Sequence, residues 1–271
     1  MSVQRPSIDW TGLPLEGCIE RLKRADHHLE SFQTAIATPE VRSHVAKLPI
    51  KAKLNLERNK LEITATKDVR LPVSLGILFG DVIHNLHATL DNLVYELARL
   101  NVDRPEGTVQ FPILDQPNEW LTENTQRMLA GVAPRDRAHI EAHQPFMALN
   151  GVPAKHNVLA RLRRYSNEGK HRVVTPLGGV SMGSVVEDLK PTDVRIIGSQ
   201  LDVQKALRKN AVLASFDIEI TGDNPSVEVQ GGFTWYPALD DGDPAEQFLK
   251  RSVAYVYTIV KEFLSSSFGF P

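Results

Sequence analysis

At 271 residues, with 42% hydrophobic and 24% charged side chains and a formal net charge of -2, the chain has ordinary globular proportions, which exclude a collagen-like, coiled-coil or disordered polymer. So small a net charge gives no overall field for nucleic acid or an anionic membrane, and binding of that kind would need a local basic patch. Cys18 is the single cysteine, which excludes an intramolecular disulfide, and Met1 to Trp10 lacks the basic flank and apolar run of a signal peptide. Without a run of roughly 20 apolar residues to span a bilayer, the expectation is a cytoplasmic protein with no membrane partner.

Pro14 to Ala37 carries Leu15, Ile19, Leu22, Leu29, Phe32 and Ile36 at three- and four-residue spacings and stops at Thr38-Pro39, which predicts a first helix. From Ile50 to Thr66 the period shortens to two. Ala52, Leu54 and Leu56, then Leu61, Ile63 and Ala65, alternate with polar residues on either side of Arg58-Asn59, the pattern of a β-hairpin. Ser74 to Leu100 returns to helical spacing, entered after Pro72 and left through Asn101, Asp103 and Pro105. Gln110 to Ile113 reads as an extended piece, Trp120 to Leu129 and Arg135 to His143 as two shorter helices, and Lys155 to Asn167 as another, broken at Gly169.

Beyond Arg172, β-branched runs at Val173 to Thr175, Val185-Val186, Val194 to Ile197, Ser215 to Thr221 and Ser226 to Gln230 predict strands, with Thr221 to Pro225 as a hairpin loop. Gly178 to Gly183 is glycine-rich but has neither a lysine nor a following helix, so it reads as a turn rather than a phosphate cradle. Asp243-Pro244-Ala245-Glu246 supplies an N-cap, a first-turn proline and a capping-box glutamate for a final helix through Phe248, Leu249, Val256, Val260 and Phe263. The expected fold is α+β: an N-terminal helical bundle with an inserted β-hairpin over 11–172, a small, mostly antiparallel sheet over 173–235, and a closing helix over 243–266. All of it is expected in one domain, 1–271, with a candidate seam near Val173.

Several familiar signatures are missing: the Gly-x-x-x-x-Gly-Lys-Ser/Thr loop, Gly-x-Gly-x-x-Gly after a strand, His-Glu-x-x-His, and Gly-x-Ser-x-Gly. Two polar segments carry the side chains that could do chemistry. In Gly80 to Tyr95, at about 100° per residue, Asp81, His84, Asn85, Ala88, Asp91, Asn92 and Tyr95 share one arc, opposite Val82, Ile83, Leu86, Leu90, Leu93 and Leu97. This is either the solvated face of an amphipathic helix or a covered polar face. The lack of Lys, Arg and Glu between Asp81 and Glu96, and Ile77 and Leu78 on the same arc, favour cover, and buried polar groups need partners. His84, His87 and Asp91 at i, i+3 and i+7 have a spacing that permits a metal but does not require one, with Asp26-His27-His28 able to add a fourth ligand.

The second segment, Arg163 to Arg172, gathers four cations and a histidine where helix gives way to sheet. Such cations complement a helix C-terminus. They also offer chemistry, since an Arg to hold a phosphate and a His to move a proton are what metal-free RNA cleavage requires. Arg164 and His171 fit those roles, and on an unbroken helix they would share a face about two turns apart.

Gly80-Asp81-Val82-Ile83-His84-Asn85-Leu86 with Leu90-Asp91, together with Ser166-Asn167 and Lys170-His171-Arg172, resembles a family of bacterial cytoplasmic proteins with no established activity. The resemblance reaches from the first helix to Arg172 through Phe111-Pro112-Ile113 and Gln144-Pro145-Phe146, and implies a shared helical fold rather than a function. Arg164 and His171, separated by six residues, are also similar to the Arg-x4–6-His signature of HEPN domains, helical bundles that often act as metal-independent ribonucleases with a site formed across a dimer. Tyr165 after the Arg and the β-rich tail depart from that pattern.

Three readings follow. In the first, the chain is a binding or regulatory protein in which Asp81, His84, Asn85, Asp91 and Asn92 meet Asn167, Lys170, His171 and Arg172 in a buried polar network. In the second it is a HEPN-like ribonuclease, with His171 as general base, Arg164 and Lys170 holding phosphorane charge, and Asp91 or Asp81 orienting the histidine. The third is a metal-binding bundle on His84, His87 and Asp91. No cofactor is expected; RNA, a nucleotide or a protein are the open partners, and a homodimer is compatible with each.

Overall fold

Alternating three- and four-residue apolar spacings give the long helices, and period-two alternation gives the strands. The computed structural model describes residues 15–38, 50–66, 71–147, 153, 156–171, 178–201 and 209–269, and side chains for all of these except 170–171, 178–189, 199–201 and 230–235. The order is α1 (Glu16–Ala37), β1 (Ile50–Asn55), β2 (Lys60–Ala65), α2 (Val73–Arg99), α3 (Pro117–Trp120), α4 (Glu123–Met128), α5 (Pro134–Ala142), α6 (Val158–His171), β3 (Gly178–Thr192), β4 (Val194–Leu201), β5 (Val212–Ile220), β6 (Ser226–Ala238) and α7 (Ala245–Ser267). This is an α+β protein with helices, an antiparallel sheet and a C-terminal helix. No described helix is long and apolar enough to cross a membrane.

The chain divides into two compact units. One comprises Met1–Glu30, Phe79–Thr175 and Leu249–Pro271, the other Ser31–Leu78 and Pro176–Phe248. The first unit is helical, and its core takes Cys18, Ile19, Leu22 and Leu29 from α1, Phe79, Val82, Ile83, Leu86, Leu90 and Leu93 from α2, and Val256, Ile259, Val260 and Phe263 from α7. The apolar side of α2 is buried, as its periodicity requires.

Two expectations for this unit are corrected. The helix read over 120–129 is two helices, because Thr122 caps α4, its hydroxyl accepting from Thr125 N at 3.4 Å while donating to Glu119 O at 2.9 Å. Gly169 does not break α6, which continues to His171. Asn157 starts that helix by accepting Leu159 N at 2.7 Å, and Leu159, Leu162 and Tyr165 bury its inner face. Against that anchorage an interior glycine costs only about 1 kcal/mol relative to alanine.

In the second unit the β1–β2 hairpin turns through a short 3-10 segment, Leu56–Arg58, capped by the Asn55 side chain and closed by Asn59 at φ 49°. Asparagine tolerates that left-handed conformation better than most residues. The hairpin is not a separate insertion, because β2 pairs antiparallel with β5, Leu61 opposite Phe216 and Ile63 opposite Ala214, giving the sheet order β1-β2-β5-β4. Leu61, Ile63, Ala65, Val194, Leu213, Ala214 and Ile218 form its buried core.

The glycine-rich run from Gly178 is strand, not turn, and pairs along β6, Gly178 opposite Ala238 and Gly179 opposite Pro237. Thr221 to Pro225 is also not a hairpin loop. Thr192 pairs with Ser226 and Val194 with Ile220, so these five residues bulge out of one side of a long paired ribbon opposite the single Asp193. Asp193, at φ 54°, accepts Thr221 N on its carbonyl and Asn224 N on its carboxylate. A methyl group on Gly222 would overlap that carboxyl, which explains the glycine. Turn-type residues mark where a chain deviates, and a large bulge uses them as a hairpin does. The strand expected at Val173 to Thr175 lies outside the described residues.

Candidate functional site

The helical unit holds a polar network, built around the extended segment 110–116 rather than around a cavity. A chain crossing helices without a strand partner must satisfy its backbone groups with side chains. Asp91 accepts Phe111 N at 3.0 Å on one oxygen, and its other oxygen meets His87 Nδ1 at 3.2 Å. Gln144, 1% exposed, accepts Leu114 N at 3.0 Å and donates to Pro112 O at 2.9 Å and to Ile140 O at 3.0 Å. Arg163 donates to Ile113 O at 2.6 Å and pairs with Asp115 Oδ2 at 2.5 Å. Glu119 accepts both Asp115 N and Gln116 N, at 3.1 and 3.0 Å. Asp91, read from sequence as a catalytic partner, is thus engaged with a backbone amide.

Asp81, Asn85 and Asn92 of the polar face of α2 lie toward α1, whereas His84 and Tyr95 are exposed. The two helices run antiparallel: His28 Nδ1 lies 4.0 Å from Asp81, Cys18 Sγ donates weakly to Thr89 O at 3.6 Å, and Gly17 lies against the Asn92 amide. Asn85 is buried and donates to Asp81 O at 2.8 Å. Beside it opens a groove of about 610 Å³ lined by Glu20, Arg21, Lys23, Arg24, His27, His28 and Asn85. Lys23 pairs with Glu20 at 2.6 Å, whereas among the described residues no carboxylate lies within ion-pair distance of Arg21 or Arg24.

Burial, reinforced by Glu96 and opposed by Arg21, pushes the Cys18 thiol up to about 12. Since only the thiolate is nucleophilic, the folded protein should react with iodoacetamide at pH 8 at least about 100-fold more slowly than the urea-unfolded chain. Equal rates in the two states would show that Cys18 is not enclosed.

No protein-family model, curated protein or solved structure matches the chain.

The two polar segments are not joined directly among the described residues. Asp81 has its side chain 46% exposed and His28 as neighbour, His84 is exposed, Asn92 is half-buried, and Asn167 is exposed. Arg164 places its guanidinium 4.4 Å from the centroid of the Tyr165 ring and donates to that phenol oxygen. The side chains of Lys170 and His171, and all of Arg172, lie outside the described residues. His84, His87 and Asp91 do not assemble as ligands, since His84 faces solvent while His87 and Asp91 bond each other, and no three His, Cys, Asp or Glu side chains are grouped for a metal among the described residues.

A second cluster joins α5 to α7. His143 Nε2 lies 2.8 Å from Glu262 and its Nδ1 3.4 Å from the Tyr255 hydroxyl. Burial first, then Glu262, raises the Tyr255 pKa, so the phenol stays protonated beside His143.

Arg21 and Arg24 are the residues that pattern alone passes over, while Gln144 and Arg163 stand out only as members of longer runs. Arg21-Leu22-Lys23-Arg24 reads as solvated cations on an amphipathic helix, and only the packing of α2, whose Asn85 shares the lining, makes that face one wall of a groove. Three cations and two histidines within eight residues, Arg21 to His28, are the signal that was present.

Proposed function

We propose that the chain is a cytoplasmic binding or regulatory protein that takes its ligand in the groove between α1 and α2. One observation carries the reading: Asp91, Gln144 and Arg163 are engaged with backbone groups, while Arg21 and Arg24 stand over an open concavity with no carboxylate partner among the described residues. Cations held beside a cavity are disposed to meet an anion.

A second reading, a HEPN-like ribonuclease, is supported by the unbroken α6, which puts positions 164 and 171 on one helical face about 10.5 Å apart along the axis. One experiment separates the two. Amide NMR spectra recorded with nucleotides, sugar phosphates and organic acids, followed by incubation with a structured RNA, should show shifts concentrated at Arg21, Arg24, His28 and Asn85 and leave the RNA intact. RNA cleavage that disappears in His171→Ala would replace the binding reading with the nuclease, and ligand shifts confined to other surfaces would remove the groove.

A further inference from the structure

Resting on the groove reading, we infer that the ligand is a small phosphorylated molecule whose phosphate group sits between Arg21 and Arg24. These residues are three apart on α1, so their side chains leave neighbouring positions of one face and can converge on one anion. Like charges at that spacing repel when nothing lies between them. Glu20 does not relieve the repulsion, its carboxylate being held by Lys23 at 2.6 Å, and the next turn adds His27 and His28, whose ring centroids are 6.0 Å apart.

The donor geometry selects the anion. A carboxylate is planar and is satisfied by one forked guanidinium, which would leave the second arginine without an anionic partner. A tetrahedral phosphate has oxygens enough for both forks and still faces the imidazole side of the groove. Asn85, buried at the groove wall, commits one N–H to Asp81 O and is itself part of the lining. That amide fits a polar part of the ligand beside the phosphate.

Size argues for more than inorganic phosphate. A groove of about 610 Å³ falls within the range of roughly 300–1,000 Å³ typical of small-molecule sites, so an organic group accompanies the anion. A nucleic-acid strand fits less well. Its repeated phosphates need a basic track several turns long, and this lining spans only Glu20 to His28 on a chain of net charge -2.

The test uses the full-length protein at constant ionic strength, with inorganic pyrophosphate, citrate and a 20-nucleotide RNA as probes followed by amide NMR and calorimetry. Pyrophosphate should bind with shifts at Arg21, Arg24 and Asn85, and the double variant Arg21→Gln/Arg24→Gln should weaken it at least about tenfold while melting within a few degrees of the parent. Arg24→Lys, which keeps the charge and loses the fork, should give an intermediate loss and serves as the measurement if the double variant folds poorly. Citrate binding in the groove while pyrophosphate fails would overturn the phosphate assignment and leave the groove standing. RNA binding tighter than pyrophosphate at the same residues would overturn the small-molecule assignment, and silence of the groove toward every probe would remove both.

Discussion

Gln144→Ala is expected to cost about 4 kcal/mol of unfolding free energy, read as a lower urea midpoint with an unchanged denaturant slope. Gln144 is 1% exposed and makes three hydrogen bonds, two of them to Pro112 O and Leu114 N on the extended segment. Truncation leaves a backbone N–H and a carbonyl without that partner in a site closed to water, each costing about 1–3 kcal/mol, and opens a cavity as well. The whole stability of a domain is only about 5–15 kcal/mol, so this one side chain would decide much of it. A loss below about 1 kcal/mol would mean that water or a shifted backbone replaces the amide, and the network would lose its claim to hold the segment.

Gln144→Glu sharpens the same point. The carboxyl keeps an acceptor for Leu114 N but places a second oxygen against the Pro112 and Ile140 carbonyls, where only a protonated acid can donate. Burial and those carbonyls favour the neutral form, so the folded-state pKa of the new side chain lies above its unfolded value, which is about 4.3. The acid's stabilising contribution is then fully present below about pH 4.3 and is lost as pH rises through the raised folded pKa. Relative to the parent, this variant should therefore fare best in acid. A difference independent of pH would show that the carboxyl escapes to solvent.

What could be read in advance divides along the distance between interacting residues. The stripe Val82, Ile83, Leu86, Leu90 and Leu93 is a local pattern, and so are the alternation of Leu61, Ile63 and Ala65 and the turn at Asn59; each became the element its spacing demanded. Pairing of β2 with β5 joins residues about 150 positions apart, and no local pattern encodes it. The bulge at Thr221 to Pro225 shows the same limit from the other side, since its composition announces a departure from regular strand without saying whether the chain reverses. The polar side of α2 was legible as an arc. Its partners were not, because Asp81 and Asn85 turn to α1 while Asp91, about two to three turns further on, reaches Phe111. Gln144 carries no periodic signal at all. Its position beside Pro145 and its three bonds become meaningful only once the extended segment lies against α5.

Phe79→Ala should cost about 4 kcal/mol, as much as the loss of Gln144, and through a different cause. The Phe79 ring is fully buried on α2 and meets the Tyr165 ring of α6 edge-on, with centroids 5.3 Å apart. Removing it forfeits the transfer energy of the ring, leaves a cavity, and cancels an aromatic contact worth about 0.5–1.5 kcal/mol beyond burial. A double-mutant cycle with Tyr165→Leu should return a coupling of about that last amount, because the two rings touch directly. Tyr165 in turn supports the Arg164 guanidinium over its face, so a nuclease that relied on Arg164 would lose turnover in Phe79→Ala even at temperatures where the variant remains folded. A ligand held by Arg21 and Arg24 involves neither ring. Under native conditions the Phe79→Ala protein should therefore bind pyrophosphate within about twofold of the parent while unfolding far more readily, and parallel loss of binding and stability would place the ligand against α6 instead of α1.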